Sequence, residues 1–157
     1  MRNHNLRLHR LNDSEPIPFE LLLLADETED AIKKYICDSV IYTVYNDENL
    51  KPIGVFALCR VNDIVLEIKN IGVLDPFRRQ GIGSFLIDSI KMIAHKENYN
   101  EIIVGTADSG IRQIQFYEKN GFRKFALKKN FFIENYSEPI FENGVMLKDM
   151  IMLKIKV

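Results

Sequence analysis

The first third of the chain gathers its apolar residues in blocks. PIPFELLLLAD (16–26) opens with two prolines and continues with strong helix formers, which predicts a first helix. DETEDAIKKYICD (26–38) offers Asp26 or Thr28 as N-cap and puts acids in the first turn. It sets Ile32, Tyr35 and Ile36 on one face, the pattern of a second, short helix. The period then changes. SVIYTVYN (39–46), KPIGVFALCR (51–60) and IVLEIKNIGV (64–73) are β-branched and aromatic runs split by the turn-rich NDEN and VND, which predicts three successive antiparallel strands. Ile82, Leu86, Ile90 and Ile93 then recur on one side of a helix. EIIVGTA (101–107) reads as a strand covered on both faces, and GIRQIQFYEKNGF (110–122) as a helix stopped at Asn120-Gly121. RKFALKKNFF (123–132) and VMLKDMIMLKIKV (145–157) predict two closing strands joined by a loop over 133–144. The alternation of helices and strands predicts the α/β class, a mixed sheet with helices on both sides.

Composition narrows the partners. The 157 residues fit one domain, and 21 basic against 22 acidic side chains leave a net charge of −1, with no global field to favour nucleic acid. Cys37 and Cys59 are far apart and in apolar surroundings, which suits buried thiols in a reducing compartment better than a disulfide or a zinc site. His4, His9 and His95 lack metal-ligand spacing, so no metal is expected. The basic start MRNHNLRLHRL has no apolar leader core, and FELLLLA is far too short to span a bilayer. A cytoplasmic protein with no membrane partner is the expectation.

One stretch asks for chemistry. PFRRQGIGSFL (76–86) sets two arginines and a glutamine against two glycines where a helix should begin. Glycine turns without a Cβ penalty, and a helix start presents unpaired N–H groups that suit a phosphate. A dinucleotide fingerprint would need a third glycine where Leu86 stands, and a Walker A loop would need Gly-Lys-Ser/Thr. The spacing Arg78-x-x-Gly81-x-Gly83, after a strand and before an amphipathic helix, resembles the acetyl-CoA signature of the GNAT-type N-acetyltransferases. NIGVLDPFRRQGIGSFLID and the downstream QFYEKNGFRK both resemble that family, over about three-quarters of the chain.

The resemblance implies a mostly antiparallel central sheet of about seven strands with helices on both faces, the acyl-CoA N-acyltransferase fold. It implies acetyl-CoA as cosubstrate and a small-molecule or peptide amine as acceptor. Backbone N–H groups of Arg78, Arg79, Gln80, Gly81, Ile82, Gly83 and Ser84 would cradle the pyrophosphate, with an arginine adding charge. The edge of Ile71, Gly72 and Val73 would pair with pantetheine, leaving the Val73 N–H to face the thioester oxygen. TADSGIRQ lacks the asparagine that many relatives carry, so Asp108 or Ser109 stands in for it. Tyr117 would lend its proton to the departing thiolate and also touch the cofactor. Glu67, eleven residues before Arg78, falls where several relatives place a base, and its neighbours Leu66 and Ile68 would limit its hydration.

The acids Asp26, Glu27, Glu29 and Asp30 fall where that family's first helices wall the acceptor cleft, though acids at a helix start need no substrate to explain them. FFIENYSEPIFENG (131–144) would form the other wall, exposing Tyr136, Glu138 and Glu142. Two rival readings stand beside the enzyme: a non-catalytic acyl-CoA-binding or regulatory module, and a nucleotide-binding domain. The C-terminal strands, expected at a sheet edge, suggest a homodimer.

Overall fold

The computed structural model describes residues 5–157. Its elements run β1 (Leu6–Arg10), α1 (Phe19–Leu22), α2 (Glu29–Lys33), β2 (Ser39–Asn46), β3 (Gly54–Arg60), β4 (Val65–Val73), α3 (Ile82–Lys96) and β5 (Glu101–Ala107). They continue with α4 (Ile111–Lys119), β6 (Arg123–Lys128), α5 (Phe131–Asn135), β7 (Phe141–Glu142), β8 (Val145–Met146) and β9 (Met150–Lys156). Seven strands form one sheet in the order β1-β2-β3-β4-β5-β9-β6. All neighbours are antiparallel except β4 and β5, which run parallel because α3 carries the chain across between them. Strands β7 and β8 form a separate hairpin.

Helices cover both faces. On one, Ile82, Leu86 and Ile90 of α3 and Ile114 and Tyr117 of α4 pack with Phe56, Leu66, Ile68 and Leu153 of the sheet. On the other, Leu21, Leu22, Ile32 and Ile36 pack against Ile41, Val55 and Ala57. Strand β3 therefore lies between two cores and is buried from Gly54 to Cys59. Each fully buried leucine or isoleucine contributes about 1.5–3 kcal/mol, so these two layers supply most of the stabilisation. A third cluster is small: Ala107, Phe132 and Leu147 beneath the 131–147 segment.

Several elements depart from the pattern-based reading. Strand β1 falls in a stretch to which the pattern assigns no element; it is an edge strand with no fully buried residue, so its alternation carries little signal. The first helix shrinks to four residues, followed by overlapping turns in which the Ala25 and Asp26 N–H groups donate to the Leu22 carbonyl. The second shrinks to five, and Thr28 rather than Asp26 caps it, its Oγ1 accepting the Ala31 N–H at 3.1 Å. The strand expected over 123–132 stops at Lys128, where Asn130 turns with φ 59° into α5. The loop expected over 133–144 holds part of α5 and β7, and the strand expected over 145–157 splits into β8, which pairs with β7 through a turn using Asn143 at φ 51° and Gly144 at φ 77°, and β9. Of the two thiols expected to be buried, Cys59 is and Cys37 is exposed.

Candidate active site

The middle of the sheet parts. The parallel β4–β5 ladder runs from Val65–Glu101 to Ile68–Val104 and ends there, while β4 continues to Val73 along β3 and β5 continues to Ala107 along β9. The cause is local. Lys69 has no partner on β3, because the register steps from Leu58–Ile68 to Ala57–Asn70, and such a bulge bends and twists its strand. It also resets the alternation: Leu66 and Ile68 face the α3–α4 core, and so do Ile71 and Val73.

Backbone pairing shows what lines the gap. The Leu74 N–H donates to the Ile53 carbonyl at 2.9 Å, so by antiparallel alternation Gly72 also bonds to β3. The N–H and C=O groups of Ile71 and Val73 then point the other way, into the opening. The Val73 carbonyl accepts Arg78 Nε at 3.0 Å, and Arg78 also pairs with Asp75 at 2.7 Å. The Arg78 guanidinium thus braces the turn, while Arg79, exposed with φ 60°, makes no ion pair among the described residues. Gln80 likewise donates back to the Pro76 carbonyl.

The turn then delivers a helix start. Gly81 takes φ 82° as N-cap of α3, and a Cβ there would meet nothing within 4 Å, so the approach from outside is clear. The first helical bond is Phe85 N–H to the Gly81 carbonyl, which leaves the N–H groups of Ile82, Gly83 and Ser84 without partners among the described residues. The Ile82 side chain is buried, so only its backbone is available. Gly83 has a second reason to be glycine, since a Cβ would come within 3.1 Å of the Phe116 ring. Asp108 and Ser109 lie exposed just beyond β5, in a turn closed by Gly110 N–H to the Ala107 carbonyl at 2.9 Å.

Tyr117 stands on the α3–α4 side of the sheet. A Gly-ended cap fixes the end of its helix: Gly121 at φ 97° donates to Glu118 and Phe122 donates to Tyr117. Its ring meets Phe116 and Phe122 edge-on, in the same cluster that Ile71 and Val73 pack against. The hydroxyl makes no hydrogen bond among the described residues, and burial pushes it above the ordinary tyrosine range, so it stays a protonated donor.

Glu67 stands on the other face, only slightly exposed, with Lys69 Nζ at 2.9 Å. The bulge puts Asn70 on that face as well, where its Nδ2 donates to the Leu22 carbonyl at 2.8 Å and to the Tyr35 hydroxyl at 3.0 Å. Tyr35 in turn donates to Asp26 Oδ2 at 3.1 Å, and Tyr136 donates to Asp26 Oδ1 at 2.9 Å. The two expected walls therefore meet: Tyr136 and Glu142 are half-buried and only Glu138 is exposed. Glu27 is raised by partial desolvation, then by the negative charges of Glu142 and Asp26. Asn70 and Tyr35 were not singled out as site residues from the sequence. The one signal for Asn70 was an amide within an apolar strand where the alternation slips. A separate hollow of about 460 Å³, lined by Arg7, Leu8, His9, Tyr45, Asn49 and Leu50, lies at the β1–β2 end of the sheet, away from all of this.

The parallel pair that parts in mid-sheet thus leaves an open strand edge and, beside it, an open helix start. The chain belongs to the acetyltransferase (GNAT) family, whose model matches residues 6–122. It is similar to the uncharacterized N-acetyltransferase YvbK of Bacillus subtilis, at 34% identity over 98% of this chain and 97% of that one. A GNAT family acetyltransferase from Elizabethkingia anophelis, solved with acetyl-CoA bound, superposes with a TM-score of 0.91 at 37% identity, covering 98% of this chain and 99% of that one. A Bacillus subtilis acetyltransferase in complex with CoA gives 0.85 at 32%, covering 97% and 99%. The chain is an acetyl-CoA-dependent N-acetyltransferase. Among the described residues no helix is long and apolar enough to cross a membrane.

Proposed function

We propose that this enzyme moves the acetyl group of acetyl-CoA directly onto a primary amine, with both substrates held at once across the parted strands. The observation that carries the reading is the gap itself. Its edge offers the backbone groups of Ile71 and the Val73 N–H, the Val73 carbonyl being taken by Arg78, with Tyr117 on one face and Glu67 on the other. In this reading the N–H groups at the start of α3, with Arg79 outside them, receive the pyrophosphate, and Asp108 or Ser109 flanks the thioester arm.

The chemistry follows from the positions. The amine nitrogen attacks the thioester carbon, and the Val73 N–H stabilises the negative oxygen that forms. As the carbon–sulfur bond breaks, the Tyr117 phenol gives its proton to the thiolate. Before attack the bound ammonium gives one proton through water to Glu67, which frees its lone pair; the second proton, lost as the amide forms, passes through water and restores the Tyr117 phenol. Much of the rate enhancement comes from holding the two reactants in line. The acids around Asp26 favour an acceptor that arrives as an ammonium ion. The free thiols Cys37 and Cys59 suit the reducing cytoplasm, where we place the enzyme.

Thiol release from acetyl-CoA, followed with spermidine, kanamycin, glycine, an alanine-terminated peptide and a lysine-bearing peptide, tests the reading. It expects amine-dependent release with at least one of them and an acetylated product by mass. Tight CoA binding without amine-dependent release from any of the five would favour a binding module instead.

A further inference from the structure

Asp26 holds together parts of the chain that have little else in common. Its Oδ2 accepts from Tyr35, just beyond α2, and its Oδ1 accepts from Tyr136, at the end of α5 and 110 residues away. The Glu27 N–H also donates to Oδ1, at 2.8 Å. Tyr35 is tied to Asn70 on β4, so a continuous hydrogen-bond chain runs from the parted strand to the 131–147 segment. A second bond, Lys34 Nζ to the Asn135 carbonyl at 2.6 Å, spans the same junction.

Two observations say what this is for. Thr28 caps α2, so Asp26 has no capping task that would explain an acid there. The segment it grips is lightly built: Phe132 and Leu147 are its anchors, while Phe141, Val145 and Met146 of its hairpin are exposed. A segment with so few buried contacts opens readily unless polar bonds hold it.

We propose that Asp26, gripped by Tyr35 and Tyr136, is a clamp that holds the 131–147 wall against the acceptor side of the gap, making Asp26 and Tyr136 positioning residues for the acceptor. The acceptor part of this rests on the acetyl-transfer reading; the clamp itself does not. A carboxylate suits the task because its two oxygens accept two phenols at once, in charge-assisted bonds stronger than neutral ones. Both phenols are shifted above the ordinary tyrosine range, by burial first and by Asp26 next among the factors that raise them, so they remain donors.

The test uses the full chain with Tyr136→Phe and Asp26→Asn. Tyr136→Phe keeps the ring and removes one oxygen, so folding survives. Amide hydrogen exchange read by mass spectrometry should quicken about tenfold over 131–147 and stay unchanged in α3 and β4. With the amine that the wild type acetylates best among the five, the KM for amine should rise about tenfold while the KM for acetyl-CoA stays put. In the double variant the effects should sum to less than the two singles, because each removes the same bond. Unchanged exchange over 131–147, strictly additive effects, or a KM change shared equally by both substrates would overturn the clamp. If no amine is acetylated, the acetyl-transfer reading fails, and the exchange measurement still decides the clamp.

Discussion

The proposed donor side and the proposed acceptor side of this enzyme are put together by different physics. Apart from Tyr117 and the Asp108–Ser109 turn, the donor side is one contiguous run, residues 69–84: a bulge at Lys69 parts the strands, Arg78 pins the turn, and Gly81 opens the helix start. The parts of that run are neighbours in sequence, and the two cores behind it pack against Ile71, Val73, Phe77 and Ile82 on one side and Leu74 on the other. The acceptor side draws Asp26, Tyr35, Asn70 and Tyr136 from four separate places and joins them by side-chain hydrogen bonds, with only a three-residue core beneath the Tyr136 segment. In the proposed mechanism, rigid packing sets where the acetyl group sits and replaceable polar contacts set what meets it.

The strongest break of that contrast is at Tyr117. Tyr117→Phe keeps the packed ring, so acetyl-CoA should still bind, but the departing sulfur loses its proton donor. A loss of roughly 100-fold in kcat is expected, at the low end of general-acid contributions. Normal turnover would make Tyr117 a packing residue. On the acceptor side, Glu67→Gln should lower kcat/KM about tenfold at neutral pH, and less at alkaline pH, where the amine has already lost its proton. A flat pH dependence of the loss would remove Glu67 as base.

Gly81→Asp probes the donor side through binding alone. Acetyl-CoA at ~100 times its Kd should stabilise the wild type by roughly 2.7 kcal/mol, a Tm rise of about 5–11 °C. A carboxylate in the clear approach at Gly81 should abolish that rise in the folded variant. The smallest effect belongs to Glu27. Its folded carboxyl holds a proton more tightly than the ordinary value of 4.5, so its contribution favours folding below that pH and is lost as the pH climbs through the raised value. Glu27→Gln should therefore raise Tm at neutral pH by only about 1–2 °C, because the group is exposed, and the gain should vanish below pH 4.5.

The same contrast decides what could be read from the sequence. Strand, turn and helix over 64–96 were legible because glycine, apolar spacing and the Arg78-x-x-Gly81-x-Gly83 pattern are all local. So was the stop at Gly121. The double duty of Gly83 was not, since Phe116 reaches it only through tertiary packing. Nor was the bond from Arg78 back to the strand edge, which depends on where the Val73 carbonyl points. The acids at 26–30 read as ordinary helix-start charge, and for Glu29 and Asp30, exposed in the first turn of α2, that suffices. Asp26 differs because a tyrosine 110 residues away bonds to it, and no local pattern announces such a pairing. The short elements over 131–147 escaped for a related reason: two-residue strands and a single helical turn have no period to detect.

Initial rates measured with acetyl-CoA and an accepted amine varied together test the central claim most directly. If donor and acceptor meet across the parted strands, double-reciprocal lines should intersect and no acetylated enzyme should be found by mass. Parallel lines, with an acetyl group trapped on the protein in the absence of amine, would mean that the acetyl group passes through the enzyme and that the two sides never need to be filled together.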